Sequence, residues 1–495
     1  MAERVHETER KYQADAGTVL PDLTAAAGIA RVSGPVRADL DATYFDTADL
    51  RLARAKITLR RRTGGSDAGW HIKLPVGGDT REEVRFPLGR GNTKAPAEVA
   101  DLVSAYTLGA PLEPVVRIAT ARSEWELLDE GGAVVAVVAD DDVSTHLPEG
   151  GSERWREIEV EATDPAVLDA VQDVLGVPRS SASSKLVQAL GERARPRPAA
   201  TLPKSPKAGD VALLYLDAQV TELRARDVAV RLDTDDSVHG MRVAARRLRS
   251  ALKAFRPLLD RGRVARLRAE LKWLGGELAA ARDTEVLDAA LHEEVAALPD
   301  ELVLGSVSAN LTAEFARSAA DARTATLAAL DSDRHRELLT SLVDFIAQPP
   351  WSDRAGEPAK HELRRPVRKA WRTLERSVAA VDDATDRDAA LHQVRKDAKK
   401  LRYAAEAVMP VFGPKLDRWR KAVKRAQKSL GAHQDAVVAR AVLREIGVRA
   451  HLSGDNGFTY GVLHARQDAR AHQAERDFTE DWRVLRRSPA PAWLR

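Results

Sequence analysis

The chain has no cysteine in its 495 residues, which excludes disulfides and thiolate metal sites and fits a reducing compartment. Long apolar runs are also missing. The longest, Ala133–Ala139, is far too short to cross a bilayer. The opening residues, MAERVHETERK, are charged, so no secretory signal is read there and a cytoplasmic location is expected. Aromatic residues are few, with six Tyr and eight Phe, which leaves few platforms for stacked bases. An excess of one sign of charge is absent too: 31% of residues are charged, yet the formal net charge is only +3. That balance argues against a nucleic-acid coat protein while leaving local segregation of charge open.

What is present is order in the charges. The strand-like segment VHETERKY, Val5–Tyr12, places Glu7, Glu9 and Lys11 two residues apart. In an extended chain such residues share one face. Arg60 and Arg62 alternate in ITLRRR, and Glu157, Glu159 and Glu161 alternate in WREIEVEA. Leu59, Ile72, Leu74, Ile158 and Val160 occupy the opposite faces of such segments, the pattern of a barrel with a charged interior. The face of Val5–Tyr12 opposite its charged row is polar as well, with His6, Thr8 and Arg10. The plainer alternative is a solvated sheet face. Hard divalent cations take oxygen ligands, for which Glu7, Glu9, Glu159 and Glu161 are candidates. A phosphate chain needs fixed cations, for which Lys11, Arg60, Arg62 and Lys73 are candidates.

At this length more than one domain is expected. Short alternating runs continue to about residue 190: Thr43–Asp46, Ile57–Arg62, Trp70–Leu74, Glu83–Leu88, Arg122–Leu128, Val134–Ala139 and Arg156–Ala162. Helices are expected over Pro165–Leu175 and Ser183–Ala194. A proline-rich basic stretch, residues 193–208, reads as a linker between a first domain, 1–192, and a second, 209–490. The second half is Ala-, Leu- and Arg-rich with helical periodicity and repeats internally. HGMRVAARRLR from His239 returns as HQVRKDAKKLR from His392, 153 residues later, and LAAARDTEV, Leu278–Val286, returns as LGAHQDAVV, Leu430–Val438. His239, Arg242, Arg246 and Arg249 form one helical stripe, as do His392, Arg395, Lys399 and Arg402. Six basic residues and no acid lie between His239 and Arg256, Lys253 among them. Most basic helix faces are simply solvated beside acidic neighbours.

The ordered set Glu7-x-Glu9-x-Lys11, Tyr44-Phe45-Asp46-Thr47, Arg60-x-Arg62, Lys73, Arg122, Glu157-x-Glu159-x-Glu161 and Lys185 resembles the CYTH family of triphosphate tunnel metalloenzymes. The resemblance implies an eight-stranded antiparallel tunnel that binds a triphosphate with Mg²⁺ or Mn²⁺. It implies metal ligands at Glu7, Glu9, Glu159 and Glu161, and phosphate contacts at Lys11, Arg60, Arg62, Lys73, Arg122 and Lys185. Arg60 and Lys185 are expected to face a solvated tunnel, where their like charges repel when no ligand is bound. Arg81, Glu83 and Arg85 would form the middle charged strand, with Glu83 among the metal ligands, and Asp140 or Asp142 would be the inward member of Asp140–Asp142. Lys11 and Arg122 would act on the reacting phosphoryl group, and Glu157 is the candidate to orient the attacking water. The paired His239 and His392 segments are similar to CHAD domains, which implies an all-α bundle of two repeats that binds inorganic polyphosphate. That partner suggests association with polyphosphate granules; nucleic acid is the rival polyanion. The expected whole is a multi-domain α+β protein whose leading activity is inorganic triphosphate hydrolysis. The alternatives are a non-catalytic polyphosphate-binding protein and a class IV-like adenylate cyclase.

Overall fold

The computed structural model describes residues 3–89, 94–196 and 200–494, and of residues 282–286 the backbone only. Asp283 of the repeated LAAARDTEV motif therefore lies outside the described side chains, and residues 197–199 of the expected linker lie outside the described residues. The chain divides into two compact units, residues 1–199 and 200–495.

The first unit is built on eight strands: β1 (Glu3–Ala14), β2 (Arg31–Asp46), β3 (Thr58–Thr63), β4 (Gly69–Gly77), β5 (Thr80–Phe86), β6 (Glu113–Leu128), β7 (Val134–His146) and β8 (Arg154–Ala162). They close into an antiparallel barrel in the order β1-β5-β4-β3-β2-β6-β7-β8. Closure removes the exposed edges that would otherwise invite pairing with other chains. Five helices accompany it: α1 (Arg51–Arg54), α2 (Ala97–Leu102), α3 (Ser104–Thr107), α4 (Pro165–Leu175) and α5 (Lys185–Leu190). Asp164 caps α4 by accepting from the Ala166 N–H, Pro165 opens it, and Gly176 at φ 63° ends it. The apolar stripe of α4, Leu168, Val171 and Leu175, packs on Tyr12, Leu127, Val138, Ile158 and Val160. Each such side chain, fully buried, contributes roughly 1.5–3 kcal/mol. This cover turns the apolar parity of β8 outward and leaves its glutamates facing in. The polar outer face of β1 has its own reason: Arg10 pairs with Asp79 at 3.0 Å and Asp169 at 2.6 Å. At the β3–β4 turn Gly64 has φ 80°, and a Cβ there would lie 2.1 Å from the Asp39 carbonyl oxygen.

The second unit is helical: α6 (Ala208–Arg231), α7 (Ser237–Ala254), α8 (Arg261–Glu277), α9 (Ala279–Ala296), α10 (Val307–Asp331), α11 (Asp333–Ala347), α12 (Ala359–Glu362), α13 (Arg364–Ala379), α14 (Arg387–Ala407), α15 (Met409–Leu452) and α16 (Phe458–Arg487). The duplication is visible in its core. Met241, Ala245, Leu248, Ala251 and Leu252 of α7 are buried, and so are Val394, Ala398, Leu401, Ala404 and Ala405 at the same positions of α14. α15 breaks at Gly413 (φ 63°), where Pro414 begins its long straight part. That part spans the positions held by α8 and α9 in the first copy, which are separate helices there.

Candidate functional site

Period two carries the charged rows into the barrel. A cavity of ≈490 Å³ is lined by Glu7, Glu9, Lys11, Arg60, Arg62, Lys73, Arg81, Glu83, Arg85, Arg122, Glu159, Glu161 and Lys185. Strand register sets their neighbours: Glu9 lies opposite Glu161, Lys11 opposite Glu159, Lys73 opposite Glu83 and Arg122 opposite Asp141. Helix α5 packs Leu186, Ala189 and Leu190 against the interior residues Ala42, Tyr44, Val116 and Ile118, and its first residue, Lys185, presents an ammonium to the charged lining.

Three groups form within this lining. In the first, carboxylate oxygens of Glu7, Glu9 and Glu161 lie within 4.8 Å of one another. Burial alone would raise Glu9, but the Lys11 and Lys73 ammoniums hold it down to about 2. Glu161 goes the other way: burial pushes it up, Lys73 opposes, and the carboxylates of Glu7, Glu9 and Glu159 add to the rise. A buried carboxylate whose ionised form its surroundings disfavour, set beside two others, suits a hard cation that supplies the missing positive charge. These residues fit a divalent metal.

In the second group Lys185 Nζ lies 2.8 Å from Asp141, 2.8 Å from Glu157 and 2.7 Å from Glu159. Arg122 bridges Asp141 and Glu159 at 2.7 Å each, and Lys11 also bonds Glu159. These carboxylates are a second close trio, but an ammonium already sits among them. Lys185 and Arg122 are thus held in buried ion pairs, which overturns the expectation of mutually repelling cations in a solvated tunnel.

In the third group Glu83 accepts from Arg85 at 2.6 Å and lies 3.4 Å from Arg60. His71, inward like Lys73 and two residues before it, meets Glu83 through Nδ1 at 3.0 Å and the Asp67 carbonyl through Nε2 at 2.8 Å. Burial would raise Glu83, but His71, Lys73 and Arg60 hold it far below the usual carboxylate range. Sequence reasoning missed His71, although its parity with Lys73 marked it as inward.

Two expectations are corrected. Asp140 pairs with Arg156 at 2.6 Å and Asp142 is exposed beside Arg154, whereas Asp141 is fully buried and faces inward. Asp140 and Asp142 share the parity of Ala136 and Val138, which pack under α4. Glu157 lies beneath Lys185, buried, accepting from Trp155 Nε1 at 2.6 Å, and does not line the cavity. Its carboxylate lies 2.8 Å from Lys185 Nζ, behind the lining where it was expected to face the substrate.

In the helical unit, the stripes of α7 and α14 meet across the two copies. Arg246 donates to the Tyr403 hydroxyl at 2.9 Å, and Arg402 lies 4.4 Å from the centre of the Tyr403 ring. Lys399 is pushed down to about 7 by burial and by Arg395, Arg246 and Arg402, against the opposing pull of Asp435. Burial and Arg268 and Arg246 lower Arg249, while burial, Lys400 and Arg268 lower Lys253. His392 is lowered by burial and by Lys396, whereas His239 is exposed. Arg242 donates to the Ala279 carbonyl at 3.1 Å. The crowded cations are what a bound polyanion would relieve.

The CYTH family model matches residues 6–186, and the CHAD family model matches residues 214–444. The chain is a CYTH–CHAD protein. Two uncharacterised proteins of Mycobacterium tuberculosis, from two strains, are each 36% identical to it over 484 residues, covering 93% of this chain and 92% of theirs. The CHAD domain of the plant Ricinus communis is 27% identical, covering 57% of this chain and 94% of its own, at a TM-score of 0.46. A putative adenylyl cyclase from Hippeastrum, described as having a dominant triphosphatase activity, is 18% identical, covering 39% and 98%, at a TM-score of 0.23. No helix among the described residues of this CYTH–CHAD protein is long and apolar enough to cross a membrane.

Proposed function

We propose that the CYTH barrel hydrolyses inorganic triphosphate with a divalent cation, Mg²⁺ or Mn²⁺, and that the CHAD unit binds inorganic polyphosphate. The observation that carries the first part is the make-up of the cavity wall. Among the described residues it offers nine basic and eight acidic side chains. A highly charged anion gains little from so nearly neutral a lining unless a metal adds charge. Glu7, Glu9 and Glu161 would hold that metal, which when bound supplies positive charge to the transferring phosphoryl group. Lys11, Arg60, Arg62, Lys73 and Arg122 would grip and align the phosphate chain, and Arg81 and Arg85 would extend the grip along β5. Such a reaction asks little covalent chemistry of the protein, since positioning and charge stabilisation supply most of the catalysis.

Inorganic triphosphate is favoured over nucleotides because Tyr44 is the one aromatic residue in the wall among those described, and it is 4% exposed. No ring is therefore available to stack a base. Phosphate release from triphosphate, ATP and thiamine triphosphate, each with Mg²⁺ or Mn²⁺, tests the reading. Triphosphate should be cleaved fastest, and Glu7→Gln should abolish cleavage by removing a ligand charge. A wild-type protein that releases no phosphate with either metal would leave the barrel as a non-catalytic sensor.

A further inference from the structure

Helix α13 carries a third basic stripe that its counterpart in the first repeat lacks. Arg365, Lys369, Arg372 and Arg376 recur at i, i+4, i+7 and i+11, so they share one face, and all four are exposed. Among the described residues no carboxylate is paired with any of them; Arg376 instead donates to the Arg372 carbonyl at 3.2 Å. Here the copies stand 151 residues apart: the Lys207–Pro358 bridge is flanked by reciprocal bonds from Ala208 N–H to the Glu357 carbonyl and from Ala359 N–H to the Pro206 carbonyl. At that offset buried Ala208, Ala212, Leu216 and Leu223 match buried Ala359, Leu363, Val367 and Leu374. The stripe then falls on Leu214, Ala218, Thr221 and Ala225 of α6, of which the last three are exposed. The same helix face is thus uncharged in one copy and cationic in the other.

That face lines an open cleft of ≈1100 Å³ together with Lys253 of α7, Arg268 of α8 and Lys400 of α14. Lys253 ends the α7 stripe and is depressed by burial and by the charges of Lys400, Arg268 and Lys369, so the stripes of α7 and α13 are electrostatic neighbours. The repeat-equivalent place on the other side is not purely cationic. There Lys253 becomes Glu406 and Lys400 becomes Arg247. Arg247 lies 3.0 Å from Glu406, and the Tyr215 hydroxyl donates to Glu406 at 3.2 Å. Duplication has therefore left one place cationic and set an acid between an arginine and a tyrosine in its twin.

We infer that the α13 stripe is a second polyphosphate seat, continuous with the α7 stripe past Lys253, through which the CHAD unit favours long chains over short ones. The inference rests on the polyphosphate reading of this unit. At 1.5 Å per residue, the α7 stripe from His239 to Lys253 runs about 21 Å and the α13 stripe adds about 16 Å. A chain short enough to be satisfied by the first gains nothing from the second.

The test measures binding of polyphosphates of defined length to the full chain in EDTA. Wild type is compared with a triple variant, Arg365→Glu, Lys369→Glu and Arg372→Glu, whose sites are exposed and carry no packing load. A control triple at Arg317, Arg336 and Arg483, each exposed and outside the stripes, makes the same change in net charge. The α13 triple should lower long-chain affinity by on the order of tenfold or more and reduce the salt slope by about 2, three contacts at ~0.7 each. Short-chain affinity, and all affinities of the control, should stay within about twofold of wild type. Equal losses in the two triples, or equal losses on short and long chains, would overturn the inference while leaving the polyphosphate reading standing. A wild-type chain that binds no polyphosphate of any length would overturn that reading and this inference together.

Discussion

Replacing Lys185 by Met keeps the length of the side chain and removes its charge from the middle of three buried carboxylates. Lys185 is 8% exposed, and its partners Asp141, Glu157 and Glu159 are 0%, 2% and 5% exposed. Glu159 keeps Arg122 and Lys11, and Asp141 keeps Arg122. Among the described residues Glu157 keeps only the Trp155 N–H. Breaking a buried ion pair by deleting one partner costs about 3–5 kcal/mol, because the other charge stays buried. For a domain of this size that corresponds to a fall of roughly 6–20 °C in the barrel's melting transition. Scanning calorimetry of the full chain at neutral pH in EDTA reads it directly. The pH dependence has a definite sign. In wild type Asp141 is held low and Glu159 well below its ordinary value, so their stabilisation is present above the usual carboxylate range and is lost as pH falls. In the variant Asp141 and Glu159 lose one of the charges that hold them low, so the wild-type advantage shrinks as they protonate and the gap between the proteins should close below about pH 4. The vacated trio, with oxygens within 4.8 Å, should also let Mg²⁺ or Mn²⁺ recover part of the loss. A variant that melts within about 2 °C of wild type in EDTA at neutral pH would refute the reasoning.

Glu161→Gln should abolish metal-dependent phosphate release and the rise in melting temperature on adding Mn²⁺. In EDTA it should be at least as stable as wild type, since burial and the neighbouring carboxylates already disfavour the Glu161 charge; a marked loss of stability in EDTA would speak against that. Asp141→Asn should destabilise the barrel by about 3 kcal/mol by stripping a carboxylate from Arg122 and Lys185, while Asp142→Asn, on an exposed side chain, should stay within about 0.5 kcal/mol in the same calorimetry. Lys399 sits near 7, so a bound polyanion should raise it and draw in a proton. Polyphosphate affinity should fall as pH rises through 7, and titration calorimetry at pH 8 in buffers of different ionisation enthalpy should show proton uptake that Lys399→Gln removes.

Much of this was legible because a strand has a period of two and the charged rows sit opposite apolar ones. β8 shows it: Ile158 and Val160 pack under α4 while Glu159 and Glu161 line the cavity. Where both faces carry the same kind of residue the period says nothing. β7 opens Val-Val-Ala-Val-Val-Ala, apolar on both sides, so nothing upstream tells which of Asp140–Asp142 points in. The pairing of Asp141 with Arg122 and Glu157 decides it. Strand length was hidden for a related reason. Gly34-Pro35 reads as a break, yet a register shift between Ser33 and Val36 absorbs it and β2 runs unbroken from Arg31 to Asp46.

The helical half teaches the complementary lesson about repeats. Comparing the two copies for what they share isolates His239 and His392 with their stripes, and the structure brings Arg246 and Arg402 together on Tyr403. The same comparison is blind to what the copies do not share. The α13 stripe is periodic in the sequence, but its counterpart on α6 is uncharged and leaves no match to find. Charge separates the two, not burial: Ala218 and Thr221 stand in solvent as Lys369 and Arg372 do. After duplication, shared residues record the ancestral packing and grip, and exposed cations at positions that are uncharged in the twin mark where one copy has been free to change.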